Sequence, residues 1–208
     1  MSDTREDRLP PNQVLTRKWP VLHVGSIPLF VPELWSFRVS GLVERELHLD
    51  WPAFQVLPMT DVRADMHCVT RWSRYDNDWR GVSAREIIRQ AGVLPEARFV
   101  NLLCDGGYTT SVPIDVFSAD DVLLATTHSG QPLTPEHGYP LRAVIPDRYA
   151  WKSAKWLREI RFEAEDHLGF WELRGYHNNA DPWREERFAD EPIRRGQVVR
   201  RGQVIDGR

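Results

Sequence analysis

The sequence predicts an α+β fold, a β-rich framework of mixed sheets with a few helices around it. Three observations carry this. Short apolar runs bounded by Gly, Pro, Asn or Asp recur through the middle of the chain. One segment has clear helix start and stop signals. Fifteen prolines and nine tryptophans in 208 residues point to short strands joined by long loops. Such loops can wall a pocket for a large planar ligand, although a core rich in aromatics explains the same composition.

Taken in order, residues 1–34 hold Pro10, Pro11, Pro20, Pro28 and Pro32. Proline fixes φ and lacks the backbone donor, so this stretch is predicted to be an extended arm wrapped over the domain. Residues 37–40 and 46–49, flanking Gly41, read as strands, and residues 62–68 as a strand buried on one face. Ser83-Ala-Arg-Glu86 has the form of a capping box, and Ile87, Ile88 and Ala91 follow it. Gly92 sits where a helix would stop, so a helix is predicted over 83–91. Residues 98–104, 108–112, 122–126, 141–145 and 156–162 read as strands, with a turn at Ser129-Gly130. No internal repeat is visible. Five arginines and a near-duplicated RRGQV mark the stretch from Asp190 to the end, which reads as a loosely held tail. The predicted organisation is an arm over 1–34, one domain over 35–185 and a basic, flexible tail over 186–208.

Composition excludes several classes. The chain is 41% hydrophobic and 27% charged with a net charge of −3, which fits neither a disordered chain nor a general nucleic-acid binder. Any anion site must therefore be local. Two cysteines, Cys68 and Cys104, are too few for a secreted disulfide scaffold and read as free thiols. The N-terminus MSDTREDRLPPNQ lacks the apolar segment of a signal peptide and a twin arginine. No run approaches the roughly 18 apolar residues of a membrane span. The expectation is a cytoplasmic protein with no membrane or nucleic-acid partner.

Three segments have the residue types for chemistry. In His67-Cys68-Val-Thr-Arg71-Trp72, a cysteine ends an apolar strand and meets polar and basic residues. A nearby arginine favours the thiolate, a soft metal ligand; a buried structural cysteine is the plainer alternative. His137-Gly-Tyr-Pro-Leu-Arg142 runs into a strand, then a loop with Lys152, Ser153 and Lys155. Backbone N–H groups and cations together suit a phosphate or other anion, and a hairpin with solvated charges has the same spacing. From Gly169 to Trp183, aromatics, Arg174 and His177 crowd a loop that either walls a pocket or folds back on the core.

In this order and spacing, the segments resemble the molybdopterin-binding domain shared by sulfite oxidases, plant nitrate reductases and a bacterial methionine-sulfoxide reductase. The resemblance runs from about Arg17 to Trp183. It is strongest in HGYPLRAVIPDRYAWKSAKWL, which is similar to the family's HGxPxR, its V-V-P run and its G-x-(K/R)-S-x-K-W-L loop. It implies a sulfite-oxidase-type fold and a molybdenum–molybdopterin cofactor. By position, Cys68 matches the cysteine that ligates molybdenum. His137 and Arg142 match the pair that contacts the pterin and its phosphate. Ser153, Ala154 and Lys155 match a loop that grips the cofactor through backbone groups and a lysine. Arg17 matches an arginine for an oxyanion substrate, with Lys18 and Trp19 near the pterin. Tyr176 falls where the oxidases place an active-site tyrosine, and Cys104 where the sulfoxide reductase has a cofactor-contacting threonine.

The sulfite oxidases follow their cysteine with Ala-Gly-Asn-Arg-Arg, whereas this chain has Val-Thr-Arg-Trp. Only Arg71 is matched, which weakens sulfite as the substrate. The dimerisation and haem domains of the oxidases have no counterpart in the sequence, so a minimal cofactor domain is expected. The implied activity is oxo transfer to or from a small S- or N-oxide. Arg17 and Arg71 would hold a polar oxygen, Tyr176 would donate to it, and an external one-electron partner would complete the cycle. Two other classes are a non-catalytic cofactor carrier or regulator, and a thiol or zinc hydrolase using Cys68 with His67. Adjacent strand residues face opposite ways, which argues against the hydrolase.

Overall fold

The computed structural model describes residues 8–189 and the backbone of residues 197–200 and 203–206. In chain order the elements are β1 (Val14–Leu15), β2 (Ser36–Gly41), β3 (Leu47–Asp50), α1 (Trp51–Gln55), β4 (Met59–His67), β5 (Trp72–Ser83), α2 (Ala84–Ala91), β6 (Phe99–Cys104) and β7 (Thr109–Pro113). These are followed by α3 (Ile114–Phe117), β8 (Leu123–His128), β9 (Gln131–Pro132), β10 (Arg142–Val144), β11 (Leu157–Glu163), β12 (Gln197–Arg200) and β13 (Gln203–Asp206). Strands dominate and helices are short, as the sequence predicts.

The strands form two main sheets. The first runs β3-β2-β11-β6-β7, with β2 and β11 parallel and the other pairs antiparallel. The second is built on β5, which pairs antiparallel with β4 and β8 and parallel with β1; β8 in turn pairs with β9 and β10. Alternation along each strand sends side chains to opposite faces. Phe37, Val100, Leu102, Ile160 and Phe162 of the first sheet meet Val82, Leu124 and Ala143 of the second in the main core, with Phe54, Ile87 and Phe117 from the helices. The residues one step along, Leu123, Ala125 and Val144, face the other side of the second sheet. There they pack with Ala64, Met66, Trp79 and, from the N-terminal arm, Trp19.

Helix α2 starts and stops where the sequence predicts, but its cap differs. Ser83 accepts from the Arg85 N–H, and Gly92 ends the helix in the left-handed region. Glu86 bonds Arg89 and Gln90 side chains instead of closing the box. The longest strand, β5, has no sequence prediction. Its buried positions include Ser73, Asn77 and Gly81, so no aliphatic alternation announces it. Of the predicted tail, β12 and β13 pair as an antiparallel hairpin, and the rest beyond Ala189 lies outside the described residues.

The loop between β10 and β11 is held by a buried ion pair. Lys152 Nζ lies 2.5 Å from Glu172 Oε1, both side chains fully buried. Lys152 also donates to the Ser111 carbonyl at 2.8 Å, and Glu172 accepts from Thr110 Oγ1 at 2.8 Å and Trp151 Nε1 at 3.1 Å. The pair thus ties the loop and the 169–176 segment to β7. Removing one partner strands a buried charge. Lys152→Met should lower unfolding stability by about 3–5 kcal/mol. Arg80→Ala, which breaks the exposed pair with Asp61, should cost no more than about 1 kcal/mol. Urea denaturation of both variants checks this, and equal losses would contradict it.

Candidate functional site

A cavity of about 370 Å3 opens beside the second sheet. Trp19, Pro20 and Leu22 of the arm form one wall. Met66, Cys68 and Trp72 supply the end of the β4–β5 hairpin, Arg142 comes from β10, and the 150–156 loop closes the opposite side.

One end of the cavity is cationic. Arg142 is 2% exposed. Its guanidinium donates to the carbonyls of His137 at 3.0 Å and Ser153 at 2.8 Å, joining the two motif segments. Gly138, at φ +109°, makes this approach possible, because a Cβ there would sit 3.1 Å from the Cβ atoms of both Arg142 and Lys155. Lys155 donates to the carbonyls of Leu22 at 2.9 Å and Glu136 at 2.6 Å. Among the described residues, neither cation has a carboxylate within ion-pair distance. Burial lowers the Arg142 pKa to about 10. Burial, then the Arg142 charge, lowers that of Lys155 to about 7. His137 stacks on Trp19 with ring centroids 3.8 Å apart, and its Nε2 lies 3.3 Å from the Trp19 carbonyl. It backs the wall from behind, and burial holds it in the neutral form.

The loop differs from expectation in one respect. The N–H groups of Lys152, Ser153 and Ala154 donate to Tyr149, Ala150 and Lys152 carbonyls. They are spent inside the loop, which therefore offers side chains to a ligand. Ser153 Oγ accepts from the Ile145 N–H at 2.9 Å, leaving its own proton to donate.

Cys68 stands between the two ends of the cavity. It follows β4 and opens a turn in which the Arg71 N–H donates to the Cys68 carbonyl at 3.0 Å. Thr70 Oγ1 lies 3.1 Å from Cys68 Sγ and donates to it. Burial pushes the thiol pKa up, opposed by the Thr70 hydrogen bonds and then by the Arg187 and Lys155 charges. The arginine next to it in sequence, Arg71, is not among these influences. The thiol is therefore protonated at neutral pH, and a metal must displace that proton to bind. His67 faces away, buried, with Nδ1 2.8 Å from Ser73 Oγ. Among the described residues no three His, Cys, Asp or Glu side chains gather as a metal site, so a protein-only zinc centre has no support.

Beyond Cys68 the wall is aromatic: Tyr108, Trp151, Trp171 and Tyr176. Tyr108 donates to the Trp151 carbonyl at 2.6 Å. Tyr176 has no hydroxyl partner among the described residues, and burial raises its pKa, so the phenol keeps its proton to donate.

Of the residues singled out in the sequence, Trp19, Cys68, Arg142, Ser153, Ala154, Lys155 and Tyr176 line this one cavity, with His137 behind it. Four others do not reach its wall. Arg17 and Lys18 are exposed on a bend. Arg71 takes a left-handed φ of 71° in the turn, and its side chain is exposed. Cys104 alternates inward on β6 with Val100 and Leu102, into the main core. Sequence reasoning missed Trp72, Tyr108 and Trp156 as lining residues. It also missed Arg187, which is buried, donates to the Val69 carbonyl at 2.6 Å and lies over the Tyr149 ring. Aromatic density around the motifs was the available signal for the tryptophans; Arg187 had none.

A model of the oxidoreductase molybdopterin binding domain matches residues 24–171. Over 182 residues the chain is 50% identical to the oxidoreductase YuiH of Bacillus subtilis, covering 87% of this chain and 92% of that protein. It is 27% identical over 169 residues to YedZ1 of Azospira oryzae, named as a protein-methionine-sulfoxide reductase subunit, covering 80% of this chain and 64% of that protein. Among solved structures, the sulfane dehydrogenase SoxCD of Paracoccus pantotrophus aligns with a TM-score of 0.64 at 21% identity, over 82% of this chain and 52% of that one. That likeness concerns the fold.

The lowered pKa of Lys155 has a measurable consequence. An anion at this end favours the charged ammonium, so binding takes up a proton wherever free Lys155 is neutral. With sulfate as the probe, affinity should fall as pH rises above about 7 and level off below it. The pH dependence should flatten in Lys155→Met. Calorimetric titration from roughly one unit below that value to two units above it checks this; affinity independent of pH in the unaltered chain would contradict it.

Proposed function

The chain belongs to the oxidoreductase molybdopterin-binding domain family, and from that premise we propose that it is a molybdenum–molybdopterin enzyme transferring an oxygen atom to or from a small S- or N-oxide. One observation carries the cofactor reading. A fully buried guanidinium, Arg142, has no carboxylate partner among the described residues and stands in the same cavity as a buried thiol. Burying a cation without a counter-charge is costly, so the cavity suits a ligand that is anionic at one end and carries a soft metal at the other. A phosphorylated planar heterocycle bearing a thiolate-binding metal meets both demands, and the donor set therefore fits the cofactor.

In this reading Arg142 and Lys155 neutralise the phosphate, Ser153 donates its hydroxyl, and His137 steadies Trp19 beside the pterin. Cys68 gives up its proton and ligates the metal. The bound cofactor supplies two-electron oxo-transfer chemistry. Tyr176, whose hydroxyl has no partner among the described residues, donates a hydrogen bond to the oxygen of the substrate. The tryptophan wall excludes water, which strengthens that bond. Arg17 and Arg71, both exposed, have no part in it.

Electrons come from, or go to, an external one-electron carrier. The naming of YedZ1 as a reductase subunit supports such a partner. The net charge of −3 argues against nucleic acid, and no helix among the described residues is long and apolar enough to cross a membrane. A cytoplasmic setting fits two unpaired thiols.

Turnover separates this reading from a carrier role. Molybdenum-loaded protein should oxidise reduced viologen only when an S- or N-oxide is added. Cys68→Ala should lower kcat about a hundredfold or more, and Tyr176→Phe by a similar factor. Loaded protein that turns over no oxide would leave a carrier in its place.

A further inference from the structure

We infer that Arg187 is a positioning residue for Cys68. With Gln13 it fixes the peptide on which the thiol stands, and its buried charge sets how readily a metal held by that sulfur accepts an electron. The second half rests on the reading of Cys68 as the metal ligand; the first does not.

Three consecutive carbonyls around the thiol are each held by a different segment. The Ala150 N–H donates to the His67 carbonyl at 2.7 Å. Gln13 Nε2, from the N-terminal arm, donates to the Cys68 carbonyl at 3.0 Å. Arg187 Nη1 donates to the Val69 carbonyl at 2.6 Å. Gln13 and Arg187 are both 7% exposed, so neither bond competes with bulk water. Neither residue belongs to a motif segment of the sequence. Arg187 arrives because the chain after Asp181 turns back on itself. The His177 N–H donates to the Arg187 carbonyl, the Ala189 N–H donates to the Gly175 carbonyl, and the Phe188 ring meets that of Tyr176 at 5.2 Å. The segment that presents Tyr176 to the cavity therefore also sets Arg187 behind Cys68. Contacts of this kind orient a ligand and tune the metal it holds.

The Arg187 charge is only partly answered. Its Nε and Nη2 have no hydrogen-bond partner among the described residues. A Glu185 oxygen lies 3.6 Å from Nη2, but the other oxygen of that carboxylate accepts from Asn12 at 2.8 Å. The Tyr149 ring centroid is 4.9 Å from the guanidinium carbon. A buried arginine with a purely structural role would spend most of its donors; among the described residues this one spends only Nη1. Its charge bears on the Cys68 sulfur ahead of that of Lys155. A cation beside a metal-bound sulfur stabilises the negative charge that a reducing electron brings, and so favours reduction.

The test compares Arg187→Met, which removes the charge, Arg187→Lys, which keeps it, and Gln13→Leu, which removes only a neutral hydrogen bond. In the cofactor-free protein, hydrogen exchange of the peptide over residues 67–72 should quicken about tenfold in Arg187→Met and severalfold in Gln13→Leu, while β6 exchanges as before. In molybdenum-loaded protein, redox titration followed by electron paramagnetic resonance should find one-electron reduction about tenfold less favourable in Arg187→Met. Arg187→Lys should restore most of it, and Gln13→Leu should leave it unchanged. Unchanged exchange in both Arg187→Met and Gln13→Leu, a potential that ignores loss of the charge, or an equal shift of potential in Gln13→Leu would overturn the inference. Faster exchange in a chain that takes up no molybdenum would uphold the clamp and overturn the ligand reading.

Discussion

The site depends on one buried ion pair. Lys152 and Glu172 are fully buried and in contact, and between them they gather the 149–156 loop, the 169–176 segment and β7. Such a pair is a poor source of net stability, because desolvation offsets most of the attraction. What it gives here is position. Glu172 orients Trp151 through the indole N–H, and the neighbouring Trp171 and Tyr176 follow from the same short turn. On the other side of Lys152, the chain delivers Ser153, Ala154 and Lys155 to the cavity. A preorganised aromatic wall and a preorganised cationic end therefore share one fastening.

Lys152 and Lys155 are three residues apart and have opposite fates. Lys152 has its carboxylate and is structural. Among the described residues Lys155 donates only to carbonyl oxygens, and burial and the Arg142 charge make its ammonium form unfavourable. The same contrast holds for arginines. Arg187 has a carboxylate, Glu185, 3.6 Å away though not hydrogen-bonded, whereas among the described residues Arg142 bonds three backbone carbonyls and no carboxylate. Charge left uncompensated in a folded chain marks where a ligand belongs. Here it sits across a cavity from a thiol that burial keeps protonated until something replaces the proton.

Much of this was legible in the sequence, for identifiable reasons. The edges of α2 could be read from Ser83 and Gly92, because a cap and a left-handed stop are local demands. The strands around Val39, Leu102 and Ile160 could be read because apolar runs bounded by turn residues mark buried strands. β5 could not, since its inward face carries Ser73, Asn77 and Gly81, whose burial depends on partners far away in sequence. Within the site, Cys68, Arg142 and Lys155 were visible as a spaced motif. Tyr108 was not, because it reaches the wall from the turn between β6 and β7, fixed by the Trp151 carbonyl. The placements of Arg71 and Cys104 also depend on features without a sequence signal: a left-handed turn residue that points its side chain outward, and a strand register that points a thiol into the core.

The central claim is that this cavity is built to hold molybdenum through a pterin at the cationic end and Cys68 midway along the cavity. Its most direct test is elemental analysis of molybdenum, with pterin measured as its fluorescent oxidation product. The protein should be purified from a host that makes the cofactor, beside Cys68→Ala. The account predicts near-stoichiometric molybdenum and pterin in the unaltered chain, with the metal lost or labile in Cys68→Ala. Neither metal nor pterin in the unaltered chain, or metal held equally firmly without the thiol, would contradict it.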